Sequence, residues 1–149
     1  MTPDQLFSLC NTVALIGWII LIVAGPRRWA SNLLTGFAIP LAFGILYAIL
    51  AGIHWGETPG GFGTLSGVAS LFSNRWMLLA GWIHYLAFDL FIGSWEVRDA
   101  KDKGVPHWLI IPSLGLTFMF GPAGLVLYFI TRTAFTRIAR PQPGPAAMP

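Results

Sequence analysis

Two ionisable residues, His84 and Asp89, lie inside the apolar run GWIHYLAFDLFIGSWEVRDAK, Gly81 to Lys101, and Glu96 and Asp99 follow at its end. A carboxyl or imidazole kept in apolar surroundings is the kind of group that transfers a proton or holds a cation. On a helix at 3.6 residues per turn, Trp82, Tyr85, Asp89, Gly93 and Glu96 fall within roughly 80° of one another. They form one polar-aromatic stripe. His84, Phe88, Phe91 and Trp95 fall on a separate aromatic face, with His84 roughly 140° from Asp89. The two groups therefore need different partners.

Depth sharpens the question. Along such a helix Asp89 lies about 20 Å and His84 about 12 Å from Trp76, both well inside a hydrocarbon core about 30 Å thick. A charged Asp at that depth costs at least about 2.5 to 3.5 kcal/mol. Hydrogen bonds from Asn11, Thr35, Ser113 or Thr117 on neighbouring helices, or from Tyr85 one turn away, would contribute only about 0.6 to 2 kcal/mol. Asp89 is therefore expected to face an internal pocket and to handle a proton. A neutral His84 among aromatic rings is a tolerable core residue and the weaker candidate.

The elements that must hold these residues are set by composition. Of 149 residues, 55% are hydrophobic and only 10% charged, against about 25% in a soluble domain. The mean hydropathy is +0.67. The charges flank long apolar runs, which is the pattern of an integral membrane protein. A net charge of +3 does not imply nucleic acid, because no separate basic domain exists. The single cysteine, Cys10, allows no intrachain disulfide and reads as a small buried hydrophobe. The N-terminus lacks a positive n-region, so the first apolar run is expected to be a retained span.

Four runs are long enough to cross: Leu6 to Gly25, Asn32 to Trp55, Trp76 to Val97, and Trp108 to Thr131. Trp29, Trp55, Trp76, Trp95 and Trp108 mark ends where an indole suits the interface. The predicted fold is all-α, an integral membrane four-helix bundle in one domain, residues 1–140. Pro40 is expected to kink the second helix. Pro112 and the break Gly121-Pro122-Ala123-Gly124 are expected to kink the fourth. Thr64 to Phe72 predicts a short interfacial or re-entrant helix after span two. The tail, 141–149, is Pro-rich and expected to be disordered.

Four spans divide the cations almost evenly. Arg75, Arg132, Arg137 and Arg140 fall on one side, and Arg27, Arg28, Arg98, Lys101 and Lys103 on the other. The first helix alone favours an N-terminus outside, in a bacterial inner membrane. His54 and His107 fall at span ends on opposite membrane faces, and His84 lies deeper than either. That geometry argues against a bis-histidine haem, and no spacing supports a metal site. Most of the cluster from Glu96 to Lys103 reads as a solvated helix end and loop.

The segment from Gly81 to Arg132 resembles the plant abscisic-acid-deficient-four family, the membrane proteins needed for neoxanthin synthesis, and their bacterial relatives. The resemblance rests on His84, Asp89, Gly93, Arg98-Asp99-Ala100, Pro106-His107 and Phe120-Gly121-Pro122-Ala123-Gly124. It implies a carotenoid isomerisation. A 5,6-epoxide opens, a proton leaves C7, and an allene forms beside a tertiary alcohol. The net change is an isomerisation, so no redox cofactor is expected. Such a step needs an acid near the epoxide oxygen and a base near C7. Asp89 is the first candidate, Tyr85 a donor on its stripe, and His84 a second candidate. Trp82, Gly93 and Glu96 complete the stripe as substrate-binding residues. Expected partners are membrane lipid and a carotenoid or isoprenoid substrate, with a second copy of the chain or another pigment-pathway enzyme as an assembly partner. A non-catalytic carotenoid-binding or assembly protein ranks second. A small proton- or cation-linked transport protein ranks third.

Overall fold

The computed structural model describes residues 1–57 and 59–139, and among these it is all-helical. Helix α1 spans Pro3–Ala24. A π-helical segment, Trp29–Ala38, continues directly into α2, Ile39–His54. The short α3 covers Leu65–Leu71, and α4 covers Arg75–Asp102. The chain closes with α5, His107–Phe120, and α6, Pro122–Ile138. The Pro-rich tail and Arg140 lie outside the described residues.

Local sequence explains the helix starts. Thr2 and Gln5 form a capping box on α1. Asn74 caps α4, its Oδ1 accepting from the Trp76 and Met77 amides at 2.8 and 3.3 Å. Thr64 caps α3, accepting from the Gly67 amide at 3.0 Å. Three helical stretches are long and apolar enough to cross a membrane: Pro3–Ala24, Trp29–His54 and Arg75–Asp102. Leu15, Ile19, Ile45, Ile49, Phe88, Val126 and Ile130 all point outward. An apolar outer surface of this kind matches lipid as the solvent.

The second span changes helical register where a proline kink was expected. Its first ten residues are π-helical, and the α register starts at Ile39, beside Pro40. Within the π stretch the Thr35 hydroxyl donates to the Ala30 carbonyl five residues back and accepts from Ser94 of α4 at 2.7 Å. The wider π turn thus places a buried hydroxyl on α4.

The expected fourth crossing is replaced by a hairpin. Helix α5 has 14 residues, about 21 Å, short of a core about 30 Å thick. Its chain then reverses at Gly121, where φ is +48°. A Cβ on Gly124 would lie 2.1 Å from the Thr117 amide nitrogen. Seven residues along a continuous helix would separate those positions by about 10.5 Å, so α6 has folded back onto α5. The neighbours along α4 confirm the direction. Gly121 touches Asp89, whereas Tyr128 and Arg132 bond Asp99, nearer the end of α4. The Gly-Pro-Ala-Gly sequence therefore turns the chain by reversal. The four-helix bundle gives way to three span-length helices and a re-entrant pair.

Helices α1 and α4 run parallel. Asp4 pairs with Arg75, Asn11 with Trp82, and Trp18 packs over Gly93. The ends of α1 and α4 therefore lie on one membrane face, and the hairpin starts and finishes there. His107 fixes its start by donating from Nε2 to the Ile22 carbonyl of α1 at 2.8 Å.

Two apolar clusters fill the interior. Cys10, Ala14, Phe43, Leu50, Ile83 and Leu86 join α1, α2 and the first half of α4. Trp18, Leu21, Leu90, Ile110, Leu114 and Tyr128 join α1, the second half of α4 and the hairpin.

Candidate functional site

Asp89 sits near the midpoint of α4, about 21 Å from Arg75 and about 20 Å from Asp102. It is 9% exposed, and its Oδ2 is buried with no hydrogen-bond partner among the described residues. The tip of the hairpin covers it. A Cβ on Gly121 would lie 2.9 Å from Asp89 Oδ1. Glycine is needed here twice over, for the positive φ and for the close approach. Gly121 is both the C-cap of α5 and the N-cap of α6, so the opposed ends of two helix dipoles meet beside the carboxyl.

The side chains expected to bond Asp89 from other helices are engaged elsewhere. Asn11 accepts from Trp82 Nε1 at 2.9 Å. Thr35 is tied to Ala30 and Ser94. Thr117 donates to Glu96 Oε1 at 2.9 Å. Ser113 is buried with its hydroxyl unpartnered. An interhelical hydrogen bond from these groups therefore does not account for Asp89.

The stripe on α4 splits into two environments. Trp82 and Tyr85 line a groove of about 550 Å³ between the start of α1 and the first half of α4. Phe7, Leu78 and Phe72 complete its wall, with the Asp4–Arg75 ion pair at the rim. The Trp82 ring stacks on Tyr85 at 5.3 Å and lies 5.7 Å from Phe7. Asp89 lies one turn beyond Tyr85, behind the groove's wall. Gly93 lies beneath the Trp18 indole, where a Cβ would come within 2.5 Å of the ring, so its place is in helix packing. Glu96 is fully buried against α5, with Oε2 unpartnered.

His84 belongs to another face. It stacks on Phe88 at 4.5 Å and approaches Tyr47 of α2 at 5.3 Å. It lines a separate cavity of about 260 Å³ with Trp55, Phe62 and Phe72. The structure thus keeps His84 and Asp89 apart, as the helical spacing requires.

One constellation escaped the sequence reading. Asp99 Oδ2 accepts from the Tyr128 hydroxyl at 2.6 Å and from Arg132 Nη1 at 2.8 Å. Tyr128 is completely buried, and Trp95 packs edge-on against it at 5.5 Å. Asp89, Glu96 and Asp99 therefore all face the hairpin, forming a polar seam from mid-membrane to one surface. The available signal was the pair Tyr128 and Arg132, one turn apart on one face of α6. Among the described residues no cluster of three or more His, Cys, Asp or Glu could hold a metal ion.

The chain is 28% identical over 148 residues to Protein ABA DEFICIENT 4, chloroplastic, of Arabidopsis thaliana, covering 89% of this chain. It spans 64% of that relative's length. No solved structure matches it. The model of the ABA DEFICIENT 4-like family matches residues 5–128, which includes α4, α5 and the hairpin tip. This chain belongs to the ABA DEFICIENT 4-like family.

Proposed function

We propose that this protein is a membrane enzyme of a carotenoid pathway, isomerising a carotenoid or related polyene lipid. The observation that carries the reading is the buried Asp89 carboxyl with one unpartnered oxygen, one turn behind an aromatic groove. The groove is apolar and suits an end ring with part of its polyene chain. Family membership supports the pathway.

In the proposed reaction a proton reaches the epoxide oxygen as its C6–O bond breaks, and the oxygen stays on C5 as the tertiary alcohol. A proton leaves C7, and the electron pair of that C–H bond becomes the second double bond of the allene. One proton is added and one removed, so substrate and product are isomers. Tyr85 faces the groove and is placed to donate to oxygen. The Asp89 carboxylate, one turn on, takes the proton from C7 and returns it to Tyr85, and Trp82 supports the ring by stacking. His84, on the opposite face, takes no part in this version.

We also place the N-terminus outside. With the hairpin returning to its starting face, Arg27, Arg28, Arg98, Lys101, Lys103, Arg132 and Arg137 share one side, and Arg75 stands on the other. That asymmetry favours the cation-rich face inside.

The test uses protein purified from a carotenoid-producing host, with and without supplied epoxycarotenoid. Wild type should convert it, and Asp89→Asn should lose about 10²- to 10⁴-fold in rate. If both variants hold the same unchanged pigment, the protein is a carotenoid binder and Asp89 is structural. If neither holds nor converts pigment, the pathway reading fails.

A further inference from the structure

The face that gathers the cations also contains a small polar pocket of about 170 Å³, between the start of the π-helical segment and the end of α4. Arg28, Ser31 and Asn32 line it from the start of the π-helical segment, and Arg98, Lys101 and Asp102 from α4. Arg98 is half-buried. Its Nη1 donates to the Ser31 carbonyl at 2.5 Å, and its guanidinium lies 5.9 Å from the Phe91 ring centre. Lys101 Nζ donates to the Pro26 carbonyl at 3.1 Å. Among the described residues Asp102 forms no ion pair with the three cations, so three positive charges face one negative charge. A half-buried guanidinium bonded only to a carbonyl and a ring keeps donors for an anion.

The pocket lies at the level where α1 ends and α4 ends, which is where lipid headgroups meet the protein. Arg27, Lys103, Arg132 and Arg137 lie toward the same membrane face, outside the pocket. Arg132 alone among these is paired with an acid, Asp99. The field of this face draws anions in, and three cations converge on the pocket.

We propose that this pocket seats the phosphate of an anionic membrane lipid, held by Arg28, Arg98 and Lys101, with the acyl chains running down the apolar outer surface of the second span. Leu33, Phe37 and Leu41 point outward there and would receive the chains. The proposal does not depend on the protein's catalytic activity.

The experiment is lipid binding to the purified full chain in neutral detergent, read by native mass spectrometry and by thermal unfolding. Phosphatidylglycerol, phosphatidylcholine and inorganic phosphate are compared. Phosphatidylglycerol should bind and raise the unfolding temperature, and phosphatidylcholine should do neither. The exposed pair Arg28→Gln with Lys101→Gln should weaken phosphatidylglycerol binding by about tenfold or more, at roughly 1 kcal/mol per basic residue near a headgroup. The pair Lys103→Gln with Arg137→Gln removes the same charge from the same face outside the pocket and should leave binding within about twofold of wild type. Equal binding of the two lipids would overturn the proposal. So would equal weakening by both pairs, since diffuse charge would then explain the attraction. Inorganic phosphate that competes fully at millimolar concentration would assign the pocket to a free anion and overturn the lipid.

Discussion

The two halves of α4 are packed by different chemistry. Arg75 to Phe88 carries no acid and packs on α1 and α2 through Cys10, Ala14, Phe43 and Leu50. Asp89 to Asp102 carries Asp89, Glu96, Asp99 and Asp102, and the hairpin covers the first three. The apolar half leaves a groove open, whereas the hairpin closes over Asp89, Glu96 and Asp99 of the acidic half. The difference follows from what each half exposes. An apolar helix face can remain in lipid, but a row of carboxyls at membrane depth needs a protein cover with its own hydroxyls and cations. Thr117, Tyr128 and Arg132 supply those groups. Asp89 stands at the boundary, the last acid covered and the nearest to the groove.

The contrast can be broken most severely at the hairpin. Replacing Gly124 by Val drives a side chain into the Thr117 backbone, which cannot yield as a flexible tip would. We expect a loss of about 3 kcal/mol or more, beyond the usual range for overpacking. Gly44→Ala in α2 meets nothing within 4 Å and should change stability by under about 1 kcal/mol. Thermal unfolding in detergent compares the two. Similar losses at both sites would mean that the hairpin contact is not tight.

The topology gives a second, qualitative break. In single-cysteine variants at Phe62, Lys103 and Ile138, a membrane-impermeant thiol reagent should label Lys103→Cys and Ile138→Cys from the same side. Phe62→Cys should label from the opposite side. If Ile138→Cys reacts together with Phe62→Cys, the chain crosses a fourth time and the hairpin is wrong.

Smaller effects sharpen the polar seam. Tyr128→Phe removes one donor to Asp99 while Arg132 remains, and should cost about 0.6 to 2 kcal/mol. Thr117→Val strips the sole hydrogen bond of Glu96 and should cost a similar amount. Denaturation of the two single variants and their double should show near-additivity, because they serve different carboxyls.

The smallest effect lies in the loop after α2. Glu57 sits 2.7 Å from His54 Nδ1 and accepts from Asn74 Nδ2 at 3.0 Å. These bonds hold its carboxyl below the usual range, although the side chain is about half exposed. Because the folded value is lower than the unfolded one, the contribution is complete above the unfolded pKa. It disappears as pH falls through the folded value. The unfolding temperatures of wild type and Glu57→Gln should therefore converge in acid and differ slightly near neutrality. A difference that grew in acid would contradict the assignment.

Much of this was legible in the sequence. Length and hydropathy marked three spans, and the 3.6-residue period put Asp89, Gly93 and Glu96 on one face and His84 on another. Thr64 with the apolar residues after it signalled α3. The hairpin was not legible, because Trp108 to Thr131 has the length of a crossing and Gly-Pro serves a kink as well as a reversal. What separates the two is the contact of Gly124 with Thr117 and of Arg132 with Asp99, and both depend on tertiary placement. Asp99 read as part of a solvated cluster for the same reason, since its hydroxyl donor lies 29 residues away. The π register left no mark either, since an apolar stretch keeps its outer face under either winding. Thr117 was named in advance as a hydrogen-bonding hydroxyl, yet it serves Glu96 in place of Asp89.

The return of α6 to the face where α5 began also bears on how the chain is inserted. In the proposed orientation, with the N-terminus outside, no residue after α4 through Ile138 needs to be translocated. In that orientation only the N-terminal residues, the connection between α2 and α4 with its seven-residue helix, and Arg75 at the start of α4 pass to the far side. The acidic half of α4 can therefore wait at the near surface for its cover, and the hairpin can wedge in beside it as a late, post-insertion step.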